Sequence, residues 1–113
     1  MTMSEADLLT GLLDTALSTG WLVHHSAAAE TPTGWRTPLN GSPGLPDLIL
    51  VHRDRRLFAT IEAKSAAGRL EPDKVRWHEA LAAAGVDARV IRPDDYDATI
   101  LWLAGERLRG RRR

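Results

Sequence analysis

The sequence PDLILV-HRDRR-LFATIEAK, residues 46–64, contains two apolar segments joined by a polar one. Residues 46–51 and 57–64 have the length and the β-branched and aromatic content of strands, and residues 52–56 supply the turn. The stretch therefore predicts a β-hairpin. Both faces of the hairpin are mainly apolar, which is typical of central strands that are covered on two sides by helices.

Acidic residues occur at the outer ends of this hairpin. If the turn is centred between Asp54 and Arg55, Asp47 lies directly opposite Glu62. Opposed side chains have Cβ atoms about 5 Å apart, and like charges at that distance destabilise the pairing. Lys64 comes two residues after Glu62 and so shares its face. Two interpretations are open: a solvated hairpin end with a Glu62–Lys64 pair, or two acids that share a divalent cation.

The composition is that of one soluble domain spanning residues 1–113, with 43% hydrophobic and 27% charged residues. The chain has no cysteine, which excludes disulfides, cysteine-ligated zinc and thiol catalysis. No apolar segment approaches the roughly 20 residues that span a bilayer. The first residues lack the pattern of a signal peptide. We therefore expect a cytoplasmic protein without membrane contacts.

The net charge is zero, but the basic residues are concentrated after residue 50. Arginine accounts for all but two of the fifteen basic residues, and arginine suits forked contacts with phosphate. The pattern is compatible with nucleic-acid binding without establishing it, because the isoelectric point is near 6.9. Residues 105–113 form a basic end that we expect to be frayed and flexible.

Helical and strand patterns follow one another in the order α-β-β-β-α-β-α. The predicted elements are a helix between the Ser4 cap and Gly20, a strand at 21–23, the hairpin, a helix from Pro72 to Gly85, a strand at 86–92 and a helix at 93–104. Residues 26–44, rich in Pro, Gly, Thr and Ala, are expected to form a long loop. Trp77 and Trp102 are expected in the core.

The ordered motifs resemble those of a known family. Pro46-Asp47 followed by Glu62-Ala63-Lys64 resembles the PD-(D/E)xK nuclease superfamily, and the full set is similar to small, stand-alone VRR-NUC nucleases, many of them phage-encoded. That set, over about residues 4–104, comprises Glu5, Gly20-Trp21, His24-His25, Gly44-Leu45-Pro46-Asp47, Glu62-Ala63-Lys64, Gly68-Arg69-Leu70 and Trp77. The resemblance implies an α/β (α+β) fold with a restriction-endonuclease-like αβββαβ core, in which helices flank a central mixed sheet.

The resemblance also implies an activity, namely metal-dependent endonucleolytic hydrolysis of DNA, with structured, branched or flapped DNA as the expected substrate, in a bacterial or phage-infected cell. Asp47, Glu62 and the backbone carbonyl of Ala63 would bind Mg²⁺ or Mn²⁺, and Glu5 would complete or support that site. Lys64 would orient or activate the attacking water and offset charge at the phosphorus. A homodimer is a further possibility, since compact nucleases that cut branched DNA are often symmetric dimers.

Other residues are candidates for contacts with nucleic acid. Lys74 stands where such proteins often have glutamine, and Lys74 and Arg69 are expected to contact phosphate. His24 and His25 point to opposite faces of a strand; His25 is a candidate for the active site or DNA, and a surface histidine is the alternative. Trp35 could stack on a base or pack its own loop. The segment 31–42 is longer than the family pattern.

Two alternatives to an enzyme are considered. One is a catalytically silent nucleic-acid-binding module that retains the nuclease fold. The candidate metal ligands argue against it, because binding alone does not require two opposed carboxylates. The other is a structural domain with an incidental hairpin motif, which the ordered set of motifs argues against.

Overall fold

A mixed four-stranded sheet lies at the centre of the protein in the computed structural model, which describes residues 3–26, 29–31, 34–36 and 41–105. The helices are α1 (Glu5–Ser18), α2 (Pro72–Ala83) and α3 (Tyr96–Ala104), and a one-turn 3₁₀ helix (Pro93–Asp95) precedes α3. The strands are β1 (Leu22–His25), β2 (Ala29–Thr31), β3 (Gly34–Arg36), β4 (Leu48–His52), β5 (Leu57–Ala63) and β6 (Asp87–Ile91). This arrangement confirms the predicted fold class.

The predicted hairpin is confirmed with its register. In the sheet order β1-β4-β5-β6, β4 is antiparallel to both β1 and β5, whereas β6 is parallel to β5. Leu48 pairs with Ile61 and His52 pairs with Leu57. Continuing this register by one residue places Asp47, which directly precedes β4, opposite Glu62.

The segment predicted as a long loop contains an additional hairpin, so the expected strand order was incomplete. β2 and β3 pair antiparallel, with Ala29 opposite Arg36 and Thr31 opposite Gly34. Strands of three residues are too short to show the alternating apolar pattern on which strand prediction depends. Residues 27–28, 32–33 and 37–40 of this segment and the basic end beyond Gly105 lie outside the described residues.

Helices α1 and α3 cover one face of the sheet and form the core with it. Ser4 caps α1, because its Oγ accepts a hydrogen bond from the Asp7 backbone N–H at 3.0 Å. The buried core residues are Leu8, Leu12, Ala16, Trp21, Leu48, Leu50, Ile61, Ala63, Ile91 and Leu103. Full burial of a leucine or isoleucine side chain contributes about 1.5–3 kcal/mol, so this face supplies most of the hydrophobic stabilisation. No helix in the described ranges is both long and apolar enough to cross a membrane.

Helix α2 lies on the other face, as expected of a sheet flanked by helices, but it covers only part of that face. Val51 and Phe58, which pair across β4 and β5, are 39% and 47% exposed. The reason is that α2 has only twelve residues and packs beside β6, at the end of the sheet near Glu62. One short helix, about 18 Å long, cannot shield the whole face.

Trp102 packs against the core as expected, but Trp77 does not belong to it. Trp77 is half-buried on α2, where its indole N–H donates a hydrogen bond to the Ser42 carbonyl at 3.3 Å. Its helix has no fully buried residue. At the edge of a partly covered face, an indole can keep its N–H hydrogen-bonded while part of its ring stays exposed to solvent.

Candidate active site

Asp47 is held by the strand that it faces. Its Oδ2 accepts a hydrogen bond from the backbone N–H of Ala63 at 2.9 Å. This bond anchors one carboxylate oxygen to the end of β5, and Oδ1 lies 3.9 Å from Nζ of Lys74. A carboxylate anchored by a backbone N–H loses little further freedom when it binds a cation, so the position is pre-organised.

Glu62 lies on β5 opposite Asp47 and is only 8% exposed. Burial raises the pKa of its carboxyl group, and the nearby charge of Asp47 raises this pKa further. Lys74 acts in the opposite sense through its charge and its hydrogen bond, without cancelling the increase. The ionised form of Glu62 is therefore less favoured in this site than in water, even with the ammonium of Lys74 beside it.

Lys74 is the third residue of α2, and its ammonium reaches across to both acids. Its Nζ donates hydrogen bonds to Glu62 Oε1 at 3.1 Å and to the Leu45 carbonyl at 2.9 Å. Sequence reasoning singled out Lys74 for phosphate contact and missed this arrangement. The sequence did contain one indication of an unusual role: Lys74 is in the first turn of a helix, where acidic residues are usually favoured over basic ones.

Gly44 allows the chain to approach this helix closely. Its φ of +107° lies in the region that favours glycine, and a Cβ here would lie 2.5 Å from the backbone oxygen of Asp73. The backbone of residues 44–45 can therefore pass against the first turn of α2. That approach brings the Leu45 carbonyl to the ammonium of Lys74.

Lys64 follows β5 directly and is paired with Glu5 instead of Glu62. The Lys64 backbone N–H donates to the Ile91 carbonyl at 3.0 Å, and Nζ lies 3.8 Å from Oε1 of Glu5. Glu5 is the first residue of α1, and its side chain is 47% exposed. The Glu62–Lys64 pair of the alternative interpretation is thus replaced by Glu62–Lys74 and Glu5–Lys64 pairs.

The remaining candidates lie at different distances from the acids. His25 is in β1 and pairs with Leu48, so it lies on the strand next to Asp47 at the same end of the sheet. His24 has its Nε2 3.1 Å from Oγ of Ser26. Arg69 is exposed in the loop after β5. Trp35 belongs to β3, and its side chain lies outside the described part of the structure.

Arg92 supports the loop that carries Arg69, a role that the sequence did not indicate. Its Nη1 donates hydrogen bonds to the carbonyls of Ser65 and Gly68, both at 2.7 Å. Arg92 directly follows β6, which runs parallel to β5 and ends at the same edge of the sheet. No sequence motif indicates this contact, since it depends on the parallel pairing of two distant strands.

The carboxylate oxygens of Asp47 and Glu62 are the type of ligand that a hard divalent cation prefers. Across the described residues, no three histidine, cysteine or acidic side chains lie close enough together to form a complete metal cage. Mg²⁺ does not require one, because it is usually bound by one or two carboxylates and retains several waters. The ammonium of Lys74 lies within 4 Å of an oxygen of each acid, so a positive charge already occupies this point.

The raised pKa of Glu62 predicts how stability depends on pH when no metal is bound. Between the pKa of Glu62 in the unfolded chain and its higher value in the folded protein, the folded state binds more protons. The Glu62 contribution to the free energy of unfolding therefore falls as pH rises through this window. Glu62→Gln should remove that fall and raise the melting temperature at neutral pH, with no gain in acid.

Thermal melts in a chelating buffer from about pH 4 to about pH 8 test this expectation. The difference in melting temperature between Glu62→Gln and wild type should grow with pH over the window. Glu71→Gln is a matched control, because Glu71 is exposed at the N-cap of α2 and its side chain makes no capping hydrogen bond. A constant difference across the pH range would contradict the role given to Glu62.

The comparisons with known proteins agree with one another. The VRR-NUC domain family model matches residues 25–95. A solved structure described as a VRR_NUC domain is 19% identical with a TM-score of 0.62, covering 87% of this chain and 96% of that chain. A second, described as a VRR_NUC domain protein, is 20% identical with a TM-score of 0.60, covering 90% of this chain and 88% of that one. No curated protein shows a significant sequence match.

Proposed function

The chain belongs to the VRR-NUC family, a PD-(D/E)xK nuclease type, and from this premise we propose that it is a metal-dependent endonuclease acting on DNA. The observation that carries the proposal is the pair of opposed carboxylates, Asp47 and Glu62, with Lys64 two residues further along the chain. Burial and the charge of Asp47 raise the pKa of Glu62, and shifts of this kind are concentrated at functional sites. Two opposed carboxylates are useful where a cation must be bound.

We assign the metal ligands to Asp47, Glu62 and the backbone carbonyl of Ala63, with Glu5 completing or supporting the site. All of these donors are oxygen atoms, as Mg²⁺ and Mn²⁺ prefer. When bound, the ion lowers the pKa of a coordinated water and offsets negative charge on the phosphate. The anchored Asp47 and the buried Glu62 limit the rearrangement needed to accept it.

Lys64 supplies the second part of the chemistry. Its ammonium orients the attacking water or donates hydrogen bonds to the phosphate oxygens on which charge develops. Its side chain is only 23% exposed, so the charge is incompletely screened by solvent. The contact with Glu5, at 3.8 Å and half-exposed, is weak enough to be exchanged for substrate.

DNA is the proposed substrate, structured or branched DNA in particular. Arg69 is exposed on the loop held by Arg92, where it can contact a phosphate beside the acids. His25 lies on the adjacent strand at the same end of the sheet. Lys74 and Trp35 are further candidates for contacts with the phosphate and a base. Since arginine contacts with phosphate depend on salt, DNA affinity should fall as ionic strength rises. A homodimer would present two such sites to a branched substrate.

A cleavage panel tests the proposal. Linear, flapped and four-way DNA are incubated with the full chain and Mg²⁺ or Mn²⁺, and chelated reactions serve as blanks. We expect metal-dependent cutting within the strand, fastest on a branched or flapped substrate. Absence of cleavage in all substrates with both metals would contradict the enzymatic proposal, and equal cutting in the chelator would contradict its metal dependence.

A catalytically silent nucleic-acid-binding module is the second candidate. One observation favours it: the ammonium of Lys74 occupies the position between the acids that a metal ion needs. On this alternative, salt-sensitive DNA binding is seen in the same panel without cleavage, and calorimetry detects no binding of Mg²⁺.

A further inference from the structure

The cation between the two acids is supplied by the protein itself. The ammonium of Lys74 is within 4 Å of one oxygen of each acid and also bonds the Leu45 carbonyl. All three partners are on the segment before β4 or on β5, whereas Lys74 is on α2. Its side chain is 27% exposed, so the ammonium can leave toward solvent without crossing the core.

The residue type and its position are unusual for any role within the helix. A positive charge in the first turn is unfavourable, because the N-terminus of a helix already carries partial positive charge. The chain otherwise uses arginine, with Lys64 and Lys74 as its only two lysines. An ammonium is a compact charge on a flexible stem, unlike the planar guanidinium of arginine. Lysine can therefore fill a small cation position and also withdraw from it.

A divalent ion and this ammonium cannot use the same oxygens at once. Mg²⁺–oxygen bonds are about 2.0–2.1 Å long, so an ion on Glu62 Oε1 lies close to any ammonium that stays bonded to that oxygen. Positive charges at such a distance repel strongly in a partly buried site. Metal binding to Asp47 and Glu62 therefore requires Lys74 to move.

We propose that Lys74 is the resident counter-ion of the metal-free site and competes with the divalent cation for Asp47 and Glu62. The inference rests on the proposed function, because it takes these acids to be metal ligands. It explains how the folded protein keeps the two opposed carboxylates in place when no metal is bound. It also sets the apparent metal affinity, since the ion must displace a bound ammonium before it binds.

Calorimetric titration of the full chain with Mg²⁺ tests the competition. Lys74→Gln removes the charge and keeps a polar side chain at this position, so Mg²⁺ should bind about tenfold more tightly than to wild type. Lys74→Arg keeps the charge and should bind no more tightly than wild type. Arg76→Gln is the matched control, since it removes an exposed positive charge from the same helix, and it should change the affinity far less.

A second measurement uses the stability of the metal-free protein. In a chelating buffer, Lys74→Gln should melt at a lower temperature than Arg76→Gln, because the acids lose their counter-ion. Added Mg²⁺ should raise the melting temperature of Lys74→Gln more than that of wild type. A melting temperature equal to that of Arg76→Gln would overturn the counter-ion role.

A third measurement observes the Lys74 side chain itself, without substituting it. Isotopically labelled lysine gives two side-chain signals in the wild-type protein, and Lys64→Arg identifies the signal of Lys74. Mg²⁺ should shift the Lys74 signal over the concentration range in which the ion binds. Binding that leaves this signal unmoved, or equal Mg²⁺ affinity in wild type and Lys74→Gln, overturns the inference while the proposed function survives. Failure of both proteins to bind Mg²⁺ overturns the inference and the proposed metal site together.

Discussion

Asp47→Asn is expected to reduce metal-dependent DNA cleavage to background and to abolish Mg²⁺ binding, while the protein stays folded. The substitution removes the negative charge that faces Glu62 and so halves the charge of the acid pair. The asparagine carbonyl can still accept the hydrogen bond from Ala63, which Asp47 Oδ2 accepts at 2.9 Å. Alanine at this position would instead leave that N–H unpaired, at a cost of about 1–3 kcal/mol.

Single-turnover cleavage, Mg²⁺ calorimetry and thermal melts in a chelating buffer measure the three effects on the same protein. Without metal, Asp47→Asn should be at least as stable as wild type, because the repulsion between the opposed acids is removed. Asp54→Asn is the control, since Asp54 is exposed in the turn at the opposite end of the hairpin. Wild-type cleavage by Asp47→Asn in Mg²⁺ would refute the assignment of Asp47 to the metal.

Lys64→Ala is expected to lower the single-turnover cleavage rate by roughly 10²–10³-fold, or about 3–4 kcal/mol, the loss typical of one stabilising donor. Mg²⁺ binding should survive, because an ammonium is not a metal ligand and removing a nearby positive charge does not weaken the attraction of a cation. The stability of the protein should change by only about 0–1 kcal/mol, since the Lys64–Glu5 pair is partly exposed.

Two further variants separate the possible roles of this lysine. Glu5→Gln removes the partner of Lys64 and leaves its ammonium in place. If Glu5 supports the metal, Mg²⁺ affinity should fall in Glu5→Gln; if Glu5 only pairs with Lys64, both metal affinity and cleavage should be retained. Lys64→Arg tests whether charge alone is sufficient, because guanidinium and ammonium differ in shape and donor geometry. If turnover is unchanged in Lys64→Ala, the only role left for Lys64 is its surface ion pair with Glu5.

The hairpin and its register were predictable because the physical cause is local. Two apolar strands joined by a short polar turn can pair in few ways, and the turn sets which residues face each other. The opposition of Asp47 and Glu62 followed from that register. The capped helix α1 was equally local, since Ser4 and the leucines after it occur within a few turns. The family resemblance depended on the same short motifs, and the family match agrees with it.

The predictions that failed concern how whole elements are placed. Helices flank both faces of the sheet as expected, but α2 is too short to cover all of its face, and Trp77 was expected in a core that α2 does not enter. β2 and β3 were missed because three-residue strands carry too little pattern to detect.

The electrostatic pairing at the candidate site also depends on placement. The sequence puts Glu62 and Lys64 on one strand end and suggests that they pair, whereas the folded chain pairs Glu62 with Lys74 and Lys64 with Glu5. Each of these partners arrives on a helix from a distant part of the chain. Charges act through space, so their partners are known only when α1 and α2 are in place against the sheet. Local pattern specified the two acids, and the packing of the helices specified which cations reach them.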